Sequence, residues 1–362
     1  MGALEEWIAE MFLTHSLNLL RFSAGTQDKI LALMAAMSRE LAAKLGEGEI
    51  STYGKQRLAA LLRESNAVIA SHYTGMQAEL NRNLVGMVRI EADYTAKVLT
   101  QSLKIELGAK LPPATYLEKL VGDTLIKGAS SANWWKRQEL ATQFKFADQV
   151  RLGAAQGETT SQIVARVIGT SAKAVGGNVE VMPGILKTSE ANARALVHSS
   201  VQAVANAARL ASFQQNSDLI ECLVWLATLD SHTCLLCAMR DLHEYSLDDQ
   251  EPINHTHEWA GGPGGIHFSC RCVLSTRTKS FADLGIELDE PGDSTRPSDG
   301  GPVSSKLNFK DFLASKDKAW RAEYLGPGRA EMYEAGNITL NDLMNLKGRK
   351  LTLEELRGKY AN

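Results

Sequence analysis

Four of the five cysteines fall in two tight pairs. The first is Cys234-Leu235-Leu236-Cys237; the second, 29 residues on, lies in His267-Phe268-Ser269-Cys270-Arg271-Cys272. Zinc takes four thiolate or imidazole ligands in a tetrahedron. A Cys-x-x-Cys turn can place two thiolates on one ion, and a second close pair closes the shell. Two half-sites of this kind are much more specific than a single CxxC. The candidate ligands are Cys234, Cys237, His267, Cys270 and Cys272, one more than the ion takes. Either His267 and Cys270 form the second pair, with Cys272 outside, or Cys270 and Cys272 do, with His267 behind them. We favour four thiolates.

A full shell implies a closed, structural site, because catalytic zinc keeps a position for water. Its binding energy would then be folding energy for a loop containing Gly261, Gly262, Gly264 and Gly265. His243, His255 and His257 inside that loop read as exposed polar residues. Asp230 suits the start of a turn through its carboxylate. Arg271, between two metal cysteines, suits a neutralising group or a partner contact. A Ser/His/Asp set can be drawn from Ser199, His198 and Asp230, but a chain this long offers such sets by chance.

The elements that must position these residues are mostly helices. Apolar residues recur at three- and four-residue steps over 5–45, from Trp7 and Ile8 to Leu41. Gly46-Glu47-Gly48 breaks this helix. Another is expected from Ser51-Thr52, through Leu58, Leu62 and Ile69, and past Gly75 to Leu99. Pro112-Pro113 punctuates the chain, and Tyr116–Gly122 reads as a short segment. A further helix opens at Ser131. Residues 153–160 read as a Gly-rich turn and helix cap, and Ile163–Ile168 as a short helix. Residues 169–186 are ambiguous between loop and hairpin. Ser189 is expected to cap a strong helix rich in small residues, and Leu219–Leu229 alternates like a strand. Pro291–Ser305, poor in apolar residues, reads as linker.

The fold class expected is therefore mainly α with a small zinc-stapled α+β module. An elongated helical region covers 1–130, the metal-knot domain 131–275, a linker 276–306 and a small helical tail 307–362.

The 362 residues are 44% hydrophobic and 22% charged, with a net charge of -3. That composition buries a substantial core and announces no nucleic-acid partner. Residues 229–300 hold 13 acidic against 5 basic residues, whereas 301–362 hold 8 against 11. Any DNA contact is thus expected on the tail or a local helical face. No apolar run spans a bilayer, and no secretory signal is visible at the start. Paired cysteines without such a signal point to metal rather than disulfides.

The run Thr228-x-Asp230-x-x-x-Cys234-x-x-Cys237, followed by His267-x-x-Cys270-Arg271-Cys272, resembles the signature of phage head morphogenesis proteins, the Mu F-like minor head proteins. Asn206-Ala207-Ala208-Arg209-Leu210 and Gly157-Glu158-Thr159 are similar to the family's segments before the knot. So are Leu325-Gly326-Pro327-Gly328-Arg329 and Leu351–Leu356 to its tail. The resemblance covers about residues 130–362. Val197-His198-Ser199-Ser200 stands where many members carry Arg-Thr-Glu, and Leu235 where many carry Pro.

The resemblance implies a non-enzymatic, structural virion protein of a tailed phage, at the portal vertex or capsid interior. It implies a part in head morphogenesis and in the packaging or ejection of DNA. Implied partners are the portal protein and other head proteins, in several copies per particle. The implied location is the virion, with the host cytoplasm during assembly. The alternative is a zinc-stabilised HNH-type nuclease, for which Asn254-His255-Thr256-His257-Glu258 supplies ingredients.

Overall fold

The structure, a computed structural model, describes residues 3–104, 108–169, 173–175, 178–180, 184–285, 294–345 and 349–360. Two long helices dominate: α1 (Ala3–Leu45) and α2 (Lys55–Leu103). At a 1.5 Å rise they are roughly 65 and 74 Å long. On α1, Ile8, Phe12, Leu19, Ile30, Met34, Met37 and Leu41 are buried, which is the three/four spacing of the sequence. On α2, Ile69, Tyr73, Met76, Leu80, Leu84 and Val88 do the same. Each such side chain contributes roughly 1.5–3 kcal/mol on burial. Gly75 does not interrupt α2, since its turn is held on both sides by this stripe. The start near Ser51-Thr52 is corrected: Ile50–Thr52 is a 3-10 turn that buries Ile50, and α2 begins at Lys55.

Next come α3 (Ala114–Asp123), the hairpin of β1 (Leu125–Ile126) and β2 (Ala129–Ser130), and α4 (Ser131–Ala155). Ser130 caps α4 by accepting from Asn133 N. Thr159 and Gln162 form a capping box at the start of α5 (Thr160–Ile168). β3 (Lys173–Val175) and β4 (Asn178–Glu180) pair as a hairpin within the segment of ambiguous reading. Residues 170–172, 176–177 and 181–183 of that segment lie outside the described residues.

α6 (Ile185–Gln215) starts earlier than expected, behind Gly184 rather than Ser189. A Cβ on Gly184 would stand 2.2 Å from Gly169 N and Ile168 C, so glycine allows the chain to pass the end of α5. Ser189 is instead an interior hydroxyl of the helix, hydrogen-bonded to Thr142 Oγ1 at 2.9 Å.

β5 (Ile220–Leu226) follows the strand pattern of the sequence. It sits inside an antiparallel sheet of order β7-β6-β5-β8, made with β6 (Glu244–Tyr245), β7 (Pro252–Ile253) and β8 (Val273–Thr278). α7 (Leu235–Ala238) is the turn of the CxxC. The expected linker contains structure. β8 runs past residue 275, and β9 (Thr295–Ser298) pairs with β10 (Gly301–Ser304). This second hairpin is pinned at its base by Glu6 of α1, which accepts from Ser294 N at 2.9 Å and Ser305 Oγ at 2.5 Å. Its Arg296 is fully buried against Asp241. Residues 286–293 of the linker lie outside the described residues. The tail is α8 (Phe309–Ser315), α9 (Lys318–Leu325), α10 (Pro327–Glu334) and α11 (Leu353–Tyr360).

Three cores result. The largest joins α1, α2, α4, α5 and α6. The second packs the start of α1 (Leu4, Ile8, Phe12) onto β5, β8 and the cysteines Cys237, Cys270 and Cys272. The third packs the tail onto Leu229, Leu235, Ala238 and Met239 of the knot. The mainly helical fold with small sheets follows the expectation, but the N-terminal helices are woven into both main cores rather than standing apart as an arm. A buried cluster fastens them: Glu91 of α2 bonds Arg209 Nε of α6 at 2.5 Å and His15 Nε2 of α1 at 2.9 Å. Arg209 also lies over the Phe12 ring.

Candidate metal centre

The first cysteine pair is built by a turn. Asp230 Oδ1 accepts from His232 N at 2.9 Å, and Thr233 Oγ1 donates to Thr228 O at 2.5 Å. This turn delivers Cys234 to the start of α7 and Cys237 to its interior, where Cys237 is buried. The second pair enters β8 from a glycine-rich loop. Gly264 has φ +81°, and a Cβ there would meet the α6 backbone at Gln202 and Ala203 at 2.7–2.8 Å. That close approach sets the loop against α6. Ser199 Oγ of α6 accepts from Ser269 N at 2.8 Å, and Gly264 N donates to Cys270 Sγ at 3.4 Å. Asn206 of α6 clasps the exit, bonding Cys272 O at 3.1 Å and Leu274 N at 2.7 Å.

All five predicted ligands meet in one place. His267 Nε2 lies 3.0 Å from Cys234 Sγ and 3.1 Å from Cys237 Sγ. Cys237 Sγ lies 3.7 Å from Cys270 Sγ. The donor atoms of Cys234, Cys237 and His267 are within 4.8 Å of one another, and so are those of Cys237, Cys270 and Cys272. Cys237 belongs to both groups. His267 touches the CxxC sulfurs directly rather than standing behind the second pair. Its Nδ1 donates to Phe268 O at 2.7 Å, which leaves Nε2 as the atom aimed at the sulfurs.

The protonation pattern is that of a crowded donor set. The Cys234 thiol is drawn down to about 5, first by its hydrogen bond with Cys237 and then by His267. Cys270 is drawn well below the usual range by bonds with Cys237 and Cys272. Cys237 is pushed well up by its bonds to Cys234 and Cys270, and Cys272 by burial. Burial works to lower His267, but Cys234 and Cys270 outweigh it and lift the imidazole to about 11. Five soft donors that can settle only by sharing protons fit a divalent ion that takes the thiolates together.

Arg271 points out of the knot and grips Asp230 with two hydrogen bonds, at 2.7 and 2.6 Å. The sequence offered Arg271 a neutralising or a partner role; its described partner is the carboxylate of the turn. Ser199, His198 and Asp230 form no relay: Asp230 is held by Arg271, and Ser199 Oγ donates to Ala195 O at 2.7 Å. The reading of His243, His255 and His257 as exposed is corrected. They stack, with ring centroids 4.2 Å (His243–His255) and 5.1 Å (His243–His257) apart. Burial lowers all three, His243 to about 3, so they pack as neutral aromatic rings. His255 uses both nitrogens, bonding Glu244 O at 2.8 Å and His257 N at 3.2 Å. Cys222 stands apart on β5, its thiol pushed up to about 12 by burial.

Sequence reading missed the positioning groups Ser199 and Asn206. Both lay in segments singled out beforehand, Ser199 for a different role, and nothing in the residue type of Asn206 distinguishes it from a solvent-facing helix asparagine.

Fold and site together define a mainly helical protein with a Cys/His knot that could hold a metal ion. Residues 144–275 match the family model described as phage Mu protein F like protein. The match runs from α4 to the middle of β8 and includes every predicted ligand. It points to a phage head morphogenesis protein. No curated protein and no solved structure matches the chain. No helix among the described residues is long and apolar enough to cross a membrane.

Proposed function

We propose that this chain is a structural minor head protein of a tailed bacteriophage, located at the portal vertex or capsid interior. It would act in head assembly, with the portal and other head proteins as partners and several copies in each particle. The observation that carries the reading is the coincidence of the family match with the knot: the matched segment contains the whole donor cluster. The knot would hold zinc through Cys234, Cys237, Cys270 and His267. His267 is preferred to Cys272 because its Nε2 already bonds both CxxC sulfurs. The ion would supply a fixed junction between α7, the glycine loop and β8, and through α7 a platform for the tail.

Phage particles purified from a lysate and probed with antibody against this chain test the location. The protein should stay with DNA-filled heads after tails are removed, and its absence from heads would overturn the reading. Plasmid incubated with purified protein and magnesium or manganese tests the nuclease alternative. Cleavage lost in His257→Ala would favour it.

A further inference from the structure

The β6–β7 hairpin ends in Asp248, Asp249 and Glu251, all exposed and none in an ion pair among the described residues. Gln214 Nε2, at the last turn of α6, ties this tip down by donating to Leu247 O at 3.2 Å. At the other end of α6, Ser189, Asn192 and Ala195 line a cavity of about 390 Å³ whose facing walls are α4 and Phe268 of the knot loop. Arg137 and Lys145 of α4 stand at that cavity. Neither has an acidic partner among the described residues, and Arg137 lies over the Trp134 ring at 5.4 Å. Beside them on α4 are the most exposed large apolar side chain described, Phe144 at 75%, and Leu140 at 53%. Residues three and four apart share a helix side, so Arg137, Leu140 and Phe144 form one outward surface, and Lys145, one residue past Phe144, edges it on the side of the cavity. An apolar patch rimmed by unpaired cations is the form of a protein-docking site.

The acidic tip and the basic-apolar patch sit at opposite ends of one helix. Asn192 and Gln214 are 22 residues apart by number, or about 33 Å along the axis. We propose that the acidic hairpin tip of one copy docks on the Arg137/Lys145/Phe144 surface of the next. The occupant is thus a second copy of this chain, chosen because the complementary charge is present on the same molecule. Complementary patches on different faces make a head-to-tail contact, which repeats around a ring or along a filament instead of stopping at a pair. Asp148 is the one opposing charge on the outer side of α4 near Phe144, and it bonds Gln149. The inference goes beyond the proposed head function and does not need it.

The test is sedimentation velocity on the full chain over roughly 1–100 µM, the range of weak contacts. Assembly should grow with concentration and weaken at least about tenfold between low salt and ~0.5 M salt, where exposed charges are screened. Arg137→Glu with Lys145→Glu should leave a monomer, and so should Asp248→Lys with Asp249→Lys. Mixing the two variants should restore assembly, because each then offers the charge the other needs; this arm also shows that both variants are folded. A wild-type chain that stays monomeric at low salt overturns the proposal, even if the same surface binds nucleic acid. So does assembly that both double variants leave intact, or a mixture that stays monomeric. None of these results bears on where the protein sits in the particle.

Discussion

Replacing Arg296 with methionine tests whether the segment after β8 is a folded part of the protein. Arg296 and Asp241 are both fully buried and make two hydrogen bonds of 3.0 Å. Asp241 also accepts from Ala227 N at 2.7 Å, and Arg296 donates to Ala227 O and to Leu307 O. Removing one partner leaves a carboxylate buried with a single N–H, at a cost of about 3–5 kcal/mol. Methionine keeps the apolar stem, so a cavity adds little. At about 2.1 cal/mol/K per residue, this loss lowers Tm by roughly 4–7 °C for a chain of 362 residues. Arg296→Met with Asp241→Leu removes both charges and should recover about half of the loss or more, leaving chiefly the Ala227 N–H unpaired. Urea denaturation followed by tryptophan fluorescence measures both variants, and hydrogen exchange over 295–304 localises the change. A single variant within about 1 kcal/mol of wild type would refute the reasoning, as would a double variant less stable than the single one.

Three further outcomes are expected. His267→Ala should lose most of its bound zinc, measured by metal analysis after purification, whereas Cys272→Ser should keep it; the reverse pattern would reassign the fourth ligand. Gly264→Ala should destabilise the protein by about 1–3 kcal/mol in chemical denaturation, because its Cβ has no room against Gln202 and Ala203 and its φ is positive. Burial works to raise Glu91, but the charge of Arg209 and the bonds with His15 and Arg209 outweigh it, so its carboxyl is held below the ordinary range. A depressed carboxyl contributes stability that is present above its unfolded pKa and is lost as pH falls through the folded one. Glu91→Gln should therefore be less stable at neutral pH, by about 3–5 kcal/mol, and show a shallower fall on acidification; parallel pH profiles for the two proteins would contradict this.

The long helices were readable because their stripe of apolar residues faces one continuous core. The knot was readable because ligand chemistry restricts residue type and spacing together. What stayed hidden depends on partners far away in the chain. Ser189 has the residue type of a cap, and only the position of Thr142 shows that its hydroxyl is spent sideways. The hairpin at 295–304 is poor in apolar residues, and its central buried side chain is an arginine, neutralised by a carboxylate 55 positions earlier. The histidines of the knot loop looked solvent-facing because charge is read from type, whereas burial keeps these rings neutral.

The first helix has a mechanical consequence. Its opening turns lie in the core of the sheet and knot, while its later turns lie in the helical core. It is a splint glued at both ends. A pull or twist applied to the sheet enters α1 over Leu4–Leu13 and reaches the helical core from Leu19 onward, about 9 Å further along the same hydrogen-bonded rod. The two cores are therefore coupled: displacing one against the other has to bend or break α1 between Leu13 and Leu19.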